Sequence, residues 1–305
     1  MQGITNYRQD GGAESGRALR YVLATAARNE ESFIEKTIES VVAQTIQPTK
    51  WVIVSDGSTD RTDEIVRRYA DRYTFITCLR RDNREGRNFG SQVDAINCGI
   101  AELHALSYDY IGNLDADVAF EPGYFEALLA HFEEDALLGL AGGYIYDRAR
   151  KDVFQCRRSN RRRSVAHAVQ LFRRRCFEVV GNQYIRLPYG GPDSYAETAA
   201  QMAGWSVRAY PDLKVRHYRP SGSAGGALRS AFRMGRMDYT LGYLPAYEIC
   251  KALWRLPERP IAIGAAARLA GFAFCYCTRE KRHVPAQFMK YLRDEQWKRL
   301  LHART

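Results

Sequence analysis

Asp115 and Asp117 stand one residue apart where the apolar run Tyr110-Ile111-Gly112-Asn113-Leu114 stops. A short buried strand that ends on two acids delivers its carboxylates to the carboxyl edge of a sheet, where α/β proteins place ligands. Two oxygen anions this close can hold a hard cation, Mg²⁺ or Mn²⁺, and leave positions for water and a substrate's phosphate oxygens. The same spacing also suits a solvated turn or a helix N-cap, so its surroundings must decide.

Those surroundings repeat one arrangement. Arg20 to Ala26 reads as a strand, and Phe33, Ile34, Ile38, Val41 and Val42 keep a helical period behind Asn29 and Ser32, two candidate caps, with Pro48 closing the helix. Lys50 to Ser55 is a second strand ending on Asp56-Gly57-Ser58-Thr59-Asp60, where Thr59 or Asp60 can cap the helix of Ile65, Val66 and Tyr69. Asp56 there either accepts from a base or ribose hydroxyl, or only caps its turn. Tyr73 to Leu79 is a third strand, followed by a basic, glycine-bearing loop with Arg84 and Arg87. Such a loop is either solvated or meets a diphosphate. Val93, Ile96, Ile100 and Leu103 mark the helix that leads into the strand of Asp115. The order predicts a doubly wound, mostly parallel sheet with right-handed crossovers. Neither G-x-G-x-x-G nor a P-loop follows its strands, so a nucleotide would be held by other means.

In sequence order, Thr25-Ala-Ala-Arg-Asn-Glu-Glu, Val54-Ser-Asp-Gly-Ser-Thr-Asp, Asn97-Cys-Gly-Ile and Leu114-Asp-Ala-Asp resemble the family 2 glycosyltransferases. The resemblance covers residues 20–220 and implies the GT-A fold, a nucleotide-sugar donor (UDP, GDP or dTDP sugar) and inversion at the transferred sugar. It implies that Thr25, Glu30 and Asp56 line the nucleoside pocket, with Asp115 by the ribose and diphosphate and Asp117 on a divalent metal, Mn²⁺ or Mg²⁺. Arg87 matches less well as a phosphate contact. The family's catalytic base belongs to a Glu-Asp pair at a helix start. Here Pro192 replaces the first member, which leaves Asp193 as the matching acid; Pro followed by an acid is also simply a good helix start. His217, before Arg219 and a Gly/Ser loop, matches a late histidine near the metal or the leaving diphosphate. A sugar-nucleotide pyrophosphorylase would resemble a glycine- and lysine-rich entry loop that is missing, and an inactive nucleotide-binding scaffold is the rival from another class.

Lys and Arg total 45 against 35 Asp and Glu, a net charge of +10 that favours anionic partners. No nucleic-acid reading module accompanies the basic runs at 157–163 and 173–175. Seven cysteines without a C-x₂-C pair suggest reduced thiols, and residues 1–19 are polar without the apolar core of a secretory signal. Both point to the cytoplasmic side. Beyond a hinge at 220–226, residues 221–305 read as a basic helical appendage. Ala227 to Leu244 is either an interfacial helix or one packed on the catalytic domain. Ile261 to Cys277 carries Arg268 and falls short of the ~20 apolar residues of a bilayer span, so it is monotopic or buried. A basic tail with Phe288, Met289, Leu292, Trp297 and Leu300 completes a case for peripheral attachment at the inner face of the cell membrane. The acceptor expected there is a glycan or a polyprenyl-diphosphate-linked saccharide.

Overall fold

Every second residue of a strand points to the same face, and here both faces are covered. Tyr21, Leu23, Trp51 and Ile53 enter one apolar cluster, while Val22, Ala24, Val52 and Val54 enter another on the opposite side. The computed structural model describes residues 19–82, 89–219, 226–258 and 260–302. In chain order they form β1 (Tyr21–Ala27), α1 (Ile34–Val42), β2 (Lys50–Asp56), α2 (Thr62–Ala70), β3 (Ile76–Arg81), α3 (Phe89–Leu103), β4 (Tyr110–Leu114) and β5 (Val118–Phe120). Then come α4 (Tyr124–Glu134), β6 (Leu138–Arg150), β7 (Val153–Cys156), β8 (Val169–Arg173), α5 (Arg174–Val180), α6 (Pro192–Met202) and β9 (Ser206–His217). Four helices follow: α7 (Ala227–Thr240), α8 (Pro245–Trp254), α9 (Ile263–Cys277) and α10 (Ala286–His302).

One sheet takes the strands in the order β3-β2-β1-β4-β8-β6-β9-β5, with β7 folded back on β6. The first four are mutually parallel, as the alternation of strands and helices predicts. β8 then joins β4 antiparallel, and β9 runs parallel to β6 but antiparallel to β5. This is the GT-A arrangement that the resemblance implies, a parallel half continued by a mixed half.

Local details depart from the sequence reading. α1 starts at Phe33 without a side-chain cap, because Asn29 turns left-handed (φ 54°) and its carbonyl accepts the Thr59 N–H at 2.8 Å. Asn29 thus braces the turn after β2 rather than capping a helix. α1 also ends at Val42, well before Pro48. Nor does Thr59 or Asp60 occupy the cap position of α2, which falls on Arg61 without a side-chain cap; Asp60 stands just before it and accepts the Thr62 N–H at 3.0 Å.

The C-terminal helices pack on one another and on α6. α7 and α9 touch backbone to backbone: a Cβ at Gly235 would run into the Arg268 carbonyl, and one at Gly271 into that of Phe232. Of the two readings of this stretch, packing is therefore the one observed. Arg268 is buried, ion-paired to Asp238 of α7 and hydrogen-bonded to Glu248 of α8, which also explains a charge inside an apolar run. In the tail, Phe288 and Leu292 turn inward against Leu187, Ala199 and Leu241, with Phe288 stacked on Tyr195 at 4.7 Å. No helix among the described residues is long and apolar enough to cross a membrane. All seven cysteines are free thiols.

Candidate functional site

Strand register assembles the acids and the histidine from distant parts of the chain. Asp117 directly precedes β5, whose Val118 pairs with His217 at the end of β9. On the other side of β9, His217 pairs with Asp147 of β6. His217 Nδ1 lies 2.9 Å from Asp147 Oδ1, which leaves Nε2 facing Asp117 Oδ1 at 3.5 Å. A carboxylate on one ring nitrogen fixes the tautomer so that the other can act as a ligand. Arg157 in turn holds Asp147 with two bonds, at 2.8 and 2.6 Å.

Asp115, Asp117 and His217 each offer a ligand atom, all within 4.8 Å of one another. Two carboxylate oxygens and an imidazole nitrogen fit a divalent cation, with Asp147 as the partner that orients the imidazole. The electrostatics agree. Burial opposes charge on Asp115, but the hydrogen bond and charge of His167, with His217 and Arg157 beyond, hold its carboxyl below the usual range. Burial likewise works against protonation of His217, yet its bond to Asp147 and the charges of Asp117 and Asp115 raise its pKa above the ordinary value. The carboxylates thus favour positive charge where a cation would sit.

Asp193 reaches the same cavity from α6. Gly191 precedes that helix with φ 90°, a conformation that suits glycine, and Pro192 starts it. A cavity of about 1280 Å³ carries Asp115, His167 and His217 among its lining residues together with Asp193 and Glu197, one helical turn further along α6. The Asp193 charge is felt by both neighbours, raising the pKa of His167 after burial and Asp115 have acted, and adding to burial in pushing Glu197 well up. Glu197 also accepts the Val165 N–H at 2.5 Å and the Ser164 hydroxyl at 3.1 Å, which ties α6 to the basic loop before β8.

Thr25, Glu30 and Asp56 do not line this cavity, and neither does Asp117 itself, which meets it through His217 and Asp115. Thr25 is fully buried and its hydroxyl accepts the Trp51 indole N–H at 2.9 Å. Glu30 is buried and gripped bidentately by Arg219 at 2.9 and 2.5 Å, and Arg219 Nε lies 4.0 Å from Asp117, so one guanidinium links the two acids. Asp56 accepts from the Ser91 hydroxyl and from Arg81 at 3.1 Å, with Arg28 at 3.8 Å. Arg84 and Arg87 lie outside the described residues. Sequence reasoning missed His167, 3.6 Å from Asp115, and Asp147. Neither carries a local signal, since β8 and β6 bring them in from more than 25 residues away.

Comparison with known proteins gives a consistent result. The profile of "Glycosyl transferase family 2" matches residues 23–187, more than half of the chain. A poly-beta-1,6-N-acetyl-D-glucosamine synthase of Staphylococcus aureus is 28% identical over 138 residues, 45% of this chain and 31% of that protein. An uncharacterized glycosyltransferase of Mycoplasma pneumoniae is 31% identical over 121 residues, 39% of this chain and 38% of that one. The chain therefore matches only about a third of the length of these curated relatives. Among solved structures, the mannosyltransferase PcManGT of Pyrobaculum calidifontis, in complex with GDP-Man and Mn²⁺, superposes with TM-score 0.55 at 16% identity, covering 92% of this chain and 81% of that one. S. aureus TarS in complex with UDP-GlcNAc gives 0.54 at 13% identity, covering 90% and 78%. The strand order, the acidic pair after β4 and the profile match together make this chain a glycosyltransferase of GT-A fold that belongs to glycosyl transferase family 2.

Proposed function

We propose that this enzyme moves a sugar, with inversion, from a UDP, GDP or dTDP sugar to a hydroxyl of a glycan or a polyprenyl-diphosphate-linked saccharide at the inner face of the cell membrane. The observation that carries the reading is the shared cavity, with Asp115 and His217 in one part of its lining and Asp193 in another. Donors of this class are bound by the structural relatives, and the S. aureus relative is named for making a polysaccharide, which supports a surface-glycan role.

Asp117 and His217, with Asp115, would hold a divalent ion, Mn²⁺ or Mg²⁺, which when bound offsets the charge of the departing diphosphate. Thr25, Glu30 and Asp56 serve the nucleoside end, Glu30 through Arg219, and Arg87 the phosphates. Asp193 takes the proton of the acceptor hydroxyl as that oxygen bonds to the anomeric carbon. The bond from that carbon to the diphosphate breaks on the opposite face, through an oxocarbenium-like transition state as in inverting hydrolases. His167 and Asp147 are positioning residues, the first beside Asp115 and the second behind His217.

The test is a panel of nucleotide sugars titrated with and without Mn²⁺, followed by nucleoside diphosphate release with membrane extract as acceptor source. Metal-coupled binding of one donor class and acceptor-dependent release are expected. A chain that binds no donor in either condition would be a scaffold, and the transferase reading would fall.

A further inference from the structure

In a helix exposed to water, charged side chains belong outside and apolar ones inside. α8 and α9 keep apolar residues on both sides: Ala252, Ala265, Phe272 and Cys275 are buried, yet the charges lie inside with them and the exposed positions are uncharged. Glu248, Lys251 and Arg268 turn inward to meet Asp238, with Lys251 Nζ 3.1 Å from Asp238 Oδ2 and Arg268 Nε 2.8 Å from Glu248 Oε1. Among the described residues 245–277, those exposed include Ile249, Leu253, Trp254, Ile261, Ile263 and Phe274, and none of them carries a charge; the half-buried Arg255 and Glu258 of the connection pair with each other at 3.0 Å. These large side chains are 49–63% exposed.

Cations stand at the margin of this surface. Arg279 and Lys281 follow α9 directly and are exposed. Arg161, also exposed, lays its guanidinium over the Trp254 ring at 4.3 Å. Aromatic rings and long cationic side chains at the rim of an uncharged face suit the headgroup layer of an anionic membrane. A protein partner would instead ask for hydrogen-bonding groups at roughly one per 100–200 Å² of contact, and this face offers few. α9, at 15 residues, is about 22 Å long, so the pair would lie in the interface rather than cross it.

We propose that the outward face of α8, α9 and their connection is the surface by which this protein docks on an anionic bilayer. Cys250 and Trp254 are exposed on that face and also line the cavity of Asp193. Docking there would present the cavity mouth to the lipid surface, so the inference deepens the acceptor reading above and rests on it for its purpose, though not for its observations. It also assigns the contact to α8 and α9 rather than to the basic tail, whose Phe288 and Leu292 are spent on packing.

The experiment is flotation of the full chain with vesicles of phosphatidylcholine alone or with added phosphatidylglycerol, comparing wild type with the double variant Leu253→Glu/Ile263→Glu. Neither residue lines the cavity. Mn²⁺-dependent donor binding is measured on both proteins as a check of folding. Wild type should float with the anionic vesicles, and the variant should lose about tenfold or more in partitioning per residue changed while keeping donor binding. Wild type left unbound at both compositions, or a variant that floats equally well, overturns the proposal. So does a wild-type dimer that the variant converts to monomer, which would make the face a contact between copies. A chain that floats but binds no donor overturns the transferase reading alone.

Discussion

Leu23 and Leu253 are the same residue in opposite circumstances. The first sits in β1 with no exposure, and the second stands on α8 at 56%. The acids show the reverse: Asp115 lines an open cavity, whereas the Asp238 side chain is wholly buried between α7, α8 and α9. In the sheet region water dictates the polarity, with apolar strands inside and carboxylates at the strand ends. In the region of α7 to α9 an ion network shares the inside with Tyr239, Phe272 and Cys275, while the outside of α8 and α9 is apolar. One chain therefore holds two rules of burial, and the second makes sense where the surroundings are apolar too.

The largest effect expected from this contrast comes from placing one charge in each region. Leu23→Glu should abolish folding, because an unpaired carboxylate in a closed core exceeds the stability margin of a typical domain. Leu253→Glu should leave stability in water within about 0.5 kcal/mol of wild type. Thermal melts of the two variants would decide this, and a Leu253→Glu protein as damaged as Leu23→Glu would erase the distinction.

Next in size is the network itself. Asp238→Ala leaves Lys251 and Arg268 buried without their shared carboxylate and should cost about 3–5 kcal/mol in urea unfolding. Below that comes the helix crossing, where Gly271→Leu forces α9 off the Phe232 carbonyl for about 1–3 kcal/mol. That change should leave Mn²⁺-dependent donor binding intact if the sheet region holds the donor site by itself.

The last effect concerns pH. Burial first, and then the Asp238 charge and a hydrogen bond to it, push the Glu248 carboxyl up to about 8, so Asp238 carries the negative charge and Glu248 the proton. In the unfolded chain Glu248 releases that proton near its ordinary value of about 4.3. Between the two values the folded state binds the extra proton, so this group makes stability fall as pH rises, with no further loss above about 8. Glu248→Gln should flatten that part of a stability-against-pH curve, and an unchanged slope would show that another group causes it.

Much of the sheet region was legible because its signals are local. Each strand from β1 to β4 is an apolar run, each helix between them keeps a period of 3.6, and Asp115, Asp117, Asp193 and His217 stand at element ends where ligands gather. β8 was hidden, since Phe172 stands at the head of a basic run and only antiparallel pairing with β4 shows it buried. His167 and Asp147 escaped for the same reason: their partners are set by register between strands remote in sequence. Asn29 looked like a helix cap because the sequence cannot show that Thr59 needs its side chain more. For α9 the sequence showed an apolar run around Arg268 but could not say which residues face outward, and α8 drew no reading of its own. That direction depends on Asp238, buried ten residues before α8 has ended its first turn.

The central claim is that Asp193 serves the acceptor while the acids after β4 and His217 serve the donor. The most direct test measures Asp193→Asn for Mn²⁺-dependent donor affinity and for sugar transfer in the same preparation. The account predicts affinity close to wild type and transfer reduced by about 10²–10⁴, the share a positioned base supplies. Transfer at the wild-type rate, or donor affinity lost along with it, would contradict the account.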